Sequence, residues 1–206
     1  MSVFRWTSRW LLPVLAGVLA IASPARAQFS DGYKFLEAVK KKDLAKVNEM
    51  LAGSGAVLVN TRDVTTEQTA LHIATQRRDR PWMALMIERG GDVNARDRSG
   101  VTPLVLASNL GFIEGVELLV EYKARVDDSN DAGETPLISA VHRRHAELAR
   151  ILLKAGADPD RKDNSGRSAR DYAGMDSSGA QMLAEIAAHA KPKAQQPGRK
   201  VYGPIL

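Results

Sequence analysis

Thr102-Pro103-Leu104-Val105-Leu106-Ala107 is followed, 33 residues later, by Thr135-Pro136-Leu137-Ile138-Ser139-Ala140. Working outward, the same frame holds Thr69-Ala70-Leu71-His72-Ile73-Ala74 on one side and Ser168-Ala169-Arg170 on the other, each start 33 residues after the last. Ala74, Ala107, Ala140 and Ala173 keep this step, as do Gly100, Gly133 and Gly166, and Asn94, Asp127 and Asp160. Landmarks that stay in phase over such a period mark a stack of repeated supersecondary units. An earlier unit, Tyr33 to Leu51, fits more loosely because three extra residues fall between Ala38 and Ala74.

Each recurring residue type has a physical task. Thr102 and Thr135 are suited to cap a helix with the hydroxyl, and Pro103 and Pro136 to take the first helical position, where a missing N–H costs nothing. Ala107 and Ala140 are small where two helices approach, and a larger side chain there would overpack by roughly 1–3 kcal/mol. Apolar residues recur at helical spacing in Val116 to Leu119 and Leu148 to Leu153, a stripe that only a neighbouring helix pair can cover. Gly90 and Gly156 fit left-handed caps that stop a second helix, and Gly100, Gly133 and Gly166 fit the turns that bring the chain back.

The frame resembles the ankyrin repeat, whose pattern is a glycine turn, Thr-Pro-Leu-His-x-Ala, a second amphipathic helix and then Gly-Ala-Asp-x-Asn. His72 keeps the histidine of that pattern, and Gly156-Ala157-Asp158-Pro159-Asp160 is close to its end. The resemblance spans about residues 31–190 and implies an all-α, curved solenoid of about five helix pairs joined by hairpin-like β-turn loops. The repeats would run over about 31–63, 64–96, 97–129, 130–162 and 163–190, the terminal ones acting as irregular caps. Departures carry expectations of their own. Lys123 stands where Gly90 and Gly156 predict glycine, at a cost on the order of 1 kcal/mol. Glu67 replaces a turn glycine and Ala70 a proline. Met182, Leu183 and Ile186 lie one residue out of phase, which predicts an extra residue between Gly174 and Gly179.

The ends differ from the body. Arg5 and Arg9, the apolar run Leu11 to Ala22 and Ala25-Arg26-Ala27 read as a secretory signal peptide over residues 1–27, cleaved after Ala27. The apolar run is interrupted by Pro13 and is shorter than the roughly 20 residues of a membrane span. The expected location is therefore periplasmic, in a bacterial envelope, with secretion as the alternative, and no membrane span after cleavage. Of 206 residues, 44% are apolar and 26% charged, ordinary for a chain that buries one core, and there is no cysteine for disulfides, thiolate nucleophiles or thiolate zinc sites. The net charge of +5 belongs to the ends: residues 28–190 carry 22 basic and 24 acidic groups, which argues against nucleic acid as the main ligand. Residues 191–206, with Pro192, Pro197, Gly198 and Pro204, read as a flexible basic tail.

By the resemblance, binding residues cluster around the turns and at the ends of the first helices, on the concave side of the stack. The turn set is Arg96, Arg98, Val101, Ser129, Asp131, Glu134, Lys162, Asn164 and Arg167. The helix-end set is Lys40, Lys41, Gln76, Arg77, Asn109, Leu110, His142 and Arg143. Lys41, Arg77 and Arg143 occupy equivalent places, so they are expected to form a basic edge broken by Leu110 and suited to an acidic protein surface. The same cations would also complement the negative ends of the helices. The expected function is a non-enzymatic interaction module that is a monomer alone. The alternative is an envelope or polyanion binder using the basic edge and tail.

No chemistry stands out against the repeat. His142 and His145 have a spacing that two metal ligands could use, but no third ligand accompanies them. Asp158, Asp160, Asp163 and Asn164 lack the glycine and glutamate that a calcium loop requires. No nucleophile elbow, phosphate cradle or paired-carboxylate arrangement is present, so no catalytic, metal or cofactor-binding residue is assigned.

Overall fold

The computed structural model describes residues 25–177 and 179–190. Of the expected signal peptide, residues 1–24 lie outside the described residues, as do residues 191–206, the expected tail. Among these, ten helices form five antiparallel pairs: α1 (Ala25–Lys41) with α2 (Leu44–Val59), α3 (Ala70–Gln76) with α4 (Arg80–Glu88), α5 (Pro103–Leu110) with α6 (Ile113–Glu121), α7 (Pro136–His142) with α8 (Ala146–Ala155), and α9 (Ala169–Met175) with α10 (Ala180–His189). Each odd-numbered helix packs on the next odd one, and α4, α6, α8 and α10 pack in a second row behind them. This is the solenoid of helix pairs that the 33-residue frame predicts.

The frame residues perform the tasks their chemistry suggests. Thr102 and Thr135 accept from the N–H of Val105 and Ile138, each at 3.2 Å, and Ser168 accepts from Asp171 N at 3.2 Å. Ala74, Ala107, Ala140 and Ala173 are all fully buried where the first-row helices meet their neighbours. Leu119, Leu148, Leu152, Leu153 and Ile186 bury the second row. At roughly 1.5–3 kcal/mol for each large apolar side chain removed from water, contacts between units carry most of the stability.

Two hydrogen-bond ladders run along the stack at the repeat step. On the turns, Arg98 N donates to Thr66 O, Asp131 N to Ser99 O and Asn164 N to Ala132 O, each at 3.0 Å. Beyond the second helices, a side-chain oxygen of one unit accepts from the backbone of the next. Asn60 takes Asp92 N at 2.7 Å, Asn94 takes Arg125 N at 2.8 Å and Asp127 takes Asp158 N at 2.9 Å. Burial pushes the Asp127 carboxyl above its ordinary range, only partly opposed by that hydrogen bond. Asn94 and Asp127 thus recur because each ties its unit to the following one.

His72 is fully buried and closes a third kind of link. Its Nδ1 lies 3.3 Å from Thr69 N and 2.9 Å from Thr69 Oγ1, and Nε2 lies 3.0 Å from Val101 O in the next turn. The neutral ring with its proton on Nε2 satisfies this set. Burial accordingly lowers its pKa below 6.5.

The irregular positions fall where the sequence places them. Lys123 and Glu67 adopt left-handed backbone with φ 62° and 57°. The cap of α10 is Gly179, one residue later than the frame position set by His145, so the extra residue does lie in the loop after α9. The three extra residues of the first unit are also located. α2 has 16 residues against nine in α4, and Asp63 closes its turn on Gln68 where Asp97 closes on Val101, one residue sooner. Further left-handed residues, Lys42, Arg78 and Arg144, occupy the loops between first and second helices in register with Gly111.

Candidate functional site

Each turn is built around a side-chain acceptor. Asp97 Oδ1 accepts from Ser99 N and Val101 N, both at 2.9 Å, and Asp163 Oδ1 accepts from Ser165 N at 2.9 Å and Arg167 N at 3.0 Å. Several residues expected to face a partner are partly committed to this scaffold. Arg96 donates to Ser129 O, and Asn164 Nδ2 donates to Asp131 O at 2.8 Å. Arg98 donates to Val64 O at 3.1 Å and lies 3.6 Å from Glu67. Val101 offers its carbonyl to His72. Lys162 is exposed and bridges to Ser168 through the backbone.

The ends of the first helices behave differently from one unit to the next. Lys40 pairs with Glu37 at 3.2 Å and Asp63 at 3.7 Å, while Lys41, Gln76 and Arg143 are exposed. Arg77 turns inward. Its Nη1 donates to Val39 O at 2.6 Å and Lys40 O at 3.0 Å, the free carbonyls at the end of α1, and its guanidinium lies 5.7 Å from the Trp82 ring. Arg77 therefore complements a helix end, as the sequence allowed, and the outward cations of this row are Lys41 and Arg143. Asn109 and Leu110 are half-buried between them, and Leu110 O accepts from Arg78.

The densest grouping sits where the fourth unit meets the fifth. Tyr172 donates to Asp163 Oδ2 at 2.7 Å and its hydroxyl lies 3.1 Å from Ser165 Oγ. Its ring meets His142 edge to face, with centroids 4.4 Å apart, and Arg167 lies 6.0 Å from the same ring. His142 Nδ1 is 3.5 Å from Glu134 Oε1, which also accepts from Ser139 Oγ at 2.9 Å. Burial would raise the Asp163 carboxyl, but hydrogen bonds from Tyr172, Ser165 and the Arg167 backbone outweigh it and bring the pKa to about 2. Beside this grouping, a groove of about 190 Å³ is lined by Val141, His142, Tyr172, Met182 and the Arg144–Asp176 pair, whose closest atoms are 2.8 Å apart. Tyr172 and Asp176 are absent from the sequence-derived set. An aromatic residue in the frame position of Ile73, Leu106 and Ser139, following a turn with Asp163 and Ser165, was the signal that could have found Tyr172.

His142 and His145 do not converge. His142 meets Tyr172, whereas His145 lies over Gly111, where an added Cβ would come within 2.5 Å of His145 Nε2. Among the described residues no group of three or more His, Asp or Glu side chains is placed to hold a metal ion. Among them, too, no helix is long and apolar enough to cross a membrane.

The family profile described as "Ankyrin repeats (3 copies)" matches residues 35–130 and 85–163, together well over half of the chain. The chain belongs to the ankyrin-repeat family. Segments of much longer proteins are similar to it. It is 34% identical over 113 residues to the mouse B-cell lymphoma 3 protein homolog, covering 54% of this chain and 25% of that one. It is 40% identical over 88 residues to the E3 ubiquitin-protein ligase Ufd4 of Drosophila melanogaster, covering 42% and 3%. It is 29% identical over 105 residues to a Caenorhabditis elegans transient receptor potential cation channel subfamily A member 1 homolog, covering 51% and 9%. The chain thus spans a quarter or less of the length of these relatives. What the family profile shows of this chain is the ankyrin repeat, a fold that binds other proteins.

Proposed function

We propose that the protein is a non-enzymatic interaction module that acts outside the cytoplasm. It grips a partner protein through the face formed by the turns and the ends of α3, α5, α7 and α9. The observation that carries this reading is the grouping around Tyr172. Its ring is fixed by Asp163, Ser165, His142 and Arg167 while remaining half-exposed, next to a groove large enough for an anchoring side chain. An aromatic held in place before binding loses little freedom on association, and such residues dominate binding energy in interfaces. The contact set extends along the turns through Ser129, Asp131, Glu134, Lys162 and Asn164, and along the helix ends through Lys41, Gln76, Asn109 and Arg143.

Export rests on the leader sequence, which supports cleavage after Ala27 and a periplasmic mature chain of residues 28–206. Cell fractionation with mass measurement of the amino terminus tests this: a chain beginning at Gln28 in the envelope fraction is expected, and an intact leader in the cytosol would exclude it. For the binding reading, crosslinking in intact cells identifies the partner, and Tyr172→Ala with His142→Ala is then expected to weaken it by about tenfold or more. Unchanged affinity in a folded double variant would remove the site.

A further inference from the structure

We infer that the loops joining first to second helices carry a separate docking groove for an acidic peptide segment of a partner protein. The inference rests on the interaction-module reading but lies away from the Tyr172 grouping. The groove, of about 330 Å³, opens beside the loops of the first three units and is large enough for two or three side chains. Its cations are Lys42, Arg77, Arg78 and Arg80, and its anions are Asp79 and Glu114.

Asp79 is already spent. Its side chain is only 10% exposed, it caps α4 by accepting from Trp82 N at 3.4 Å, and its Oδ2 lies 2.5 Å from Lys42 Nζ. The remaining charged lining is Arg77, Arg78, which donates to Leu110 O, and Arg80, against Glu114. Arg77 donates only through Nη1, and its buried Nε and Nη2 have no hydrogen-bond partner. Arg80 is exposed and has no ion-pair partner among the described residues. Exposed Pro81 and the largely buried Phe112 supply the apolar part of the lining. Glu114, in the first turn of α6, already supplies the negative charge that the start of that helix favours.

The backbone sets where two of these cations stand. Lys42 and Arg78 hold left-handed φ of 58° and 53°, a conformation that costs a residue with a side chain about 1 kcal/mol, whereas the third loop uses Gly111. A long cation is thus held at a strained position twice in succession, on the two loops that flank the groove. Both side chains have partners within the fold, Lys42 on Asp79 and Arg78 on Leu110 O, and they bring their charge to the lining of the groove. The choice of a peptide over a lipid surface follows from the mixed lining: Pro81 and Phe112 stand among the cations, so a segment that alternates acidic and apolar side chains matches both.

The test uses a fluorescein-labelled peptide of alternating glutamate and leucine and the full chain, with fluorescence anisotropy at low and physiological salt. Binding that weakens with salt is expected. Arg80→Glu should lower affinity about tenfold without changing the unfolding midpoint. Arg78→Gly should weaken binding too; it relieves backbone strain but forfeits the bond to Leu110 O, so its unfolding midpoint is measured alongside, and affinity lost with the midpoint kept is the expected result. No binding of the peptide overturns the inference. So does an affinity that is unchanged in both groove variants but lost in Tyr172→Ala, a result that leaves the interaction-module reading intact. Binding to vesicles containing phosphatidylserine that the peptide cannot compete away also overturns it, in favour of a membrane surface.

Discussion

Replacing Lys123 by glycine should stabilise the protein. Lys123 follows the end of α6 with φ 62°, donates its N–H to Val120 O at 3.0 Å, and is followed by Ala124 N on Leu119 O at 2.9 Å. These backbone bonds need no side chain. The lysine is exposed and has no ion pair among the described residues, so its removal forfeits little. Left-handed backbone costs a residue with Cβ about 1–2 kcal/mol, and the greater freedom of glycine in the unfolded chain returns about 0.5–1 kcal/mol of that. The net gain is about 1 kcal/mol. With a urea dependence of about 2 kcal/mol/M for a body of this size, the unfolding midpoint should rise by about 0.5 M, and Tm by about 3 °C. The assay is urea unfolding followed by circular dichroism at 222 nm, about the helix minimum, on Lys123→Gly and the parent chain. A midpoint that stays or falls would refute the reasoning, because it would mean that the lysine contributes at least as much as its backbone costs.

Other perturbations follow from the same contacts. Gly133→Ala should destabilise more than Gly166→Ala: both have positive φ, of 78° and 81°, but an added Cβ at Gly133 would lie 2.7 Å from Asn164 N, whereas at Gly166 it meets nothing. The difference in their Tm values, about 1–3 kcal/mol in stability, measures how tightly successive turns stack. His72 is neutral in the fold and titrates below 6.5, so the unfolded chain binds its proton first and stability should fall as pH drops below about 6.5. His72→Gln should flatten that part of the pH profile while lowering stability at neutral pH by about 1–3 kcal/mol through the lost links to Thr69 and Val101. Asp163, with a pKa near 2 against 3.8 unfolded, contributes stability that is present above about pH 4 and lost as pH falls toward 2. In Asp163→Asn that acid-sensitive part should disappear from a denaturation series, and chain mobility around Tyr172 should rise in hydrogen exchange.

The frame was legible because the residues that define it answer to local rules. A hydroxyl before Pro103 or Pro136, an alanine between helices and a glycine at a turn can be recognised without knowing what they touch. Even the extra residue before α10 showed as a phase slip in Met182 and Ile186. The candidate site was legible only as a set of positions. Arg77, Lys41 and Arg143 share one register, yet Arg77 alone finds two free carbonyls and an indole beside it, a matter of packing between units that no spacing encodes. Tyr172 stands out in its register only as an aromatic among Ile73, Leu106 and Ser139, and that its ring stays half-exposed depends on packing against His142 and Asp163. The left-handed cations Lys42, Arg78 and Arg144 had a signal in Gly111, which marks the backbone requirement of that register, but its meaning depends on seeing the other three accept the strain. Asn94 and Asp127 were visible as landmarks, while their task of capping the following unit lies across a gap of some thirty residues and appears only in three dimensions.

The most direct measurement places a photocrosslinking amino acid, one site at a time, at Asn109, Ser129 and Lys162 and, on the outer row, at Glu117 and Glu121, and irradiates intact cells. The account predicts crosslinks to a common partner protein from the first three sites and little or none from Glu117 and Glu121. A partner captured from Glu117 and Glu121 but not from the turns and inner helices would contradict it.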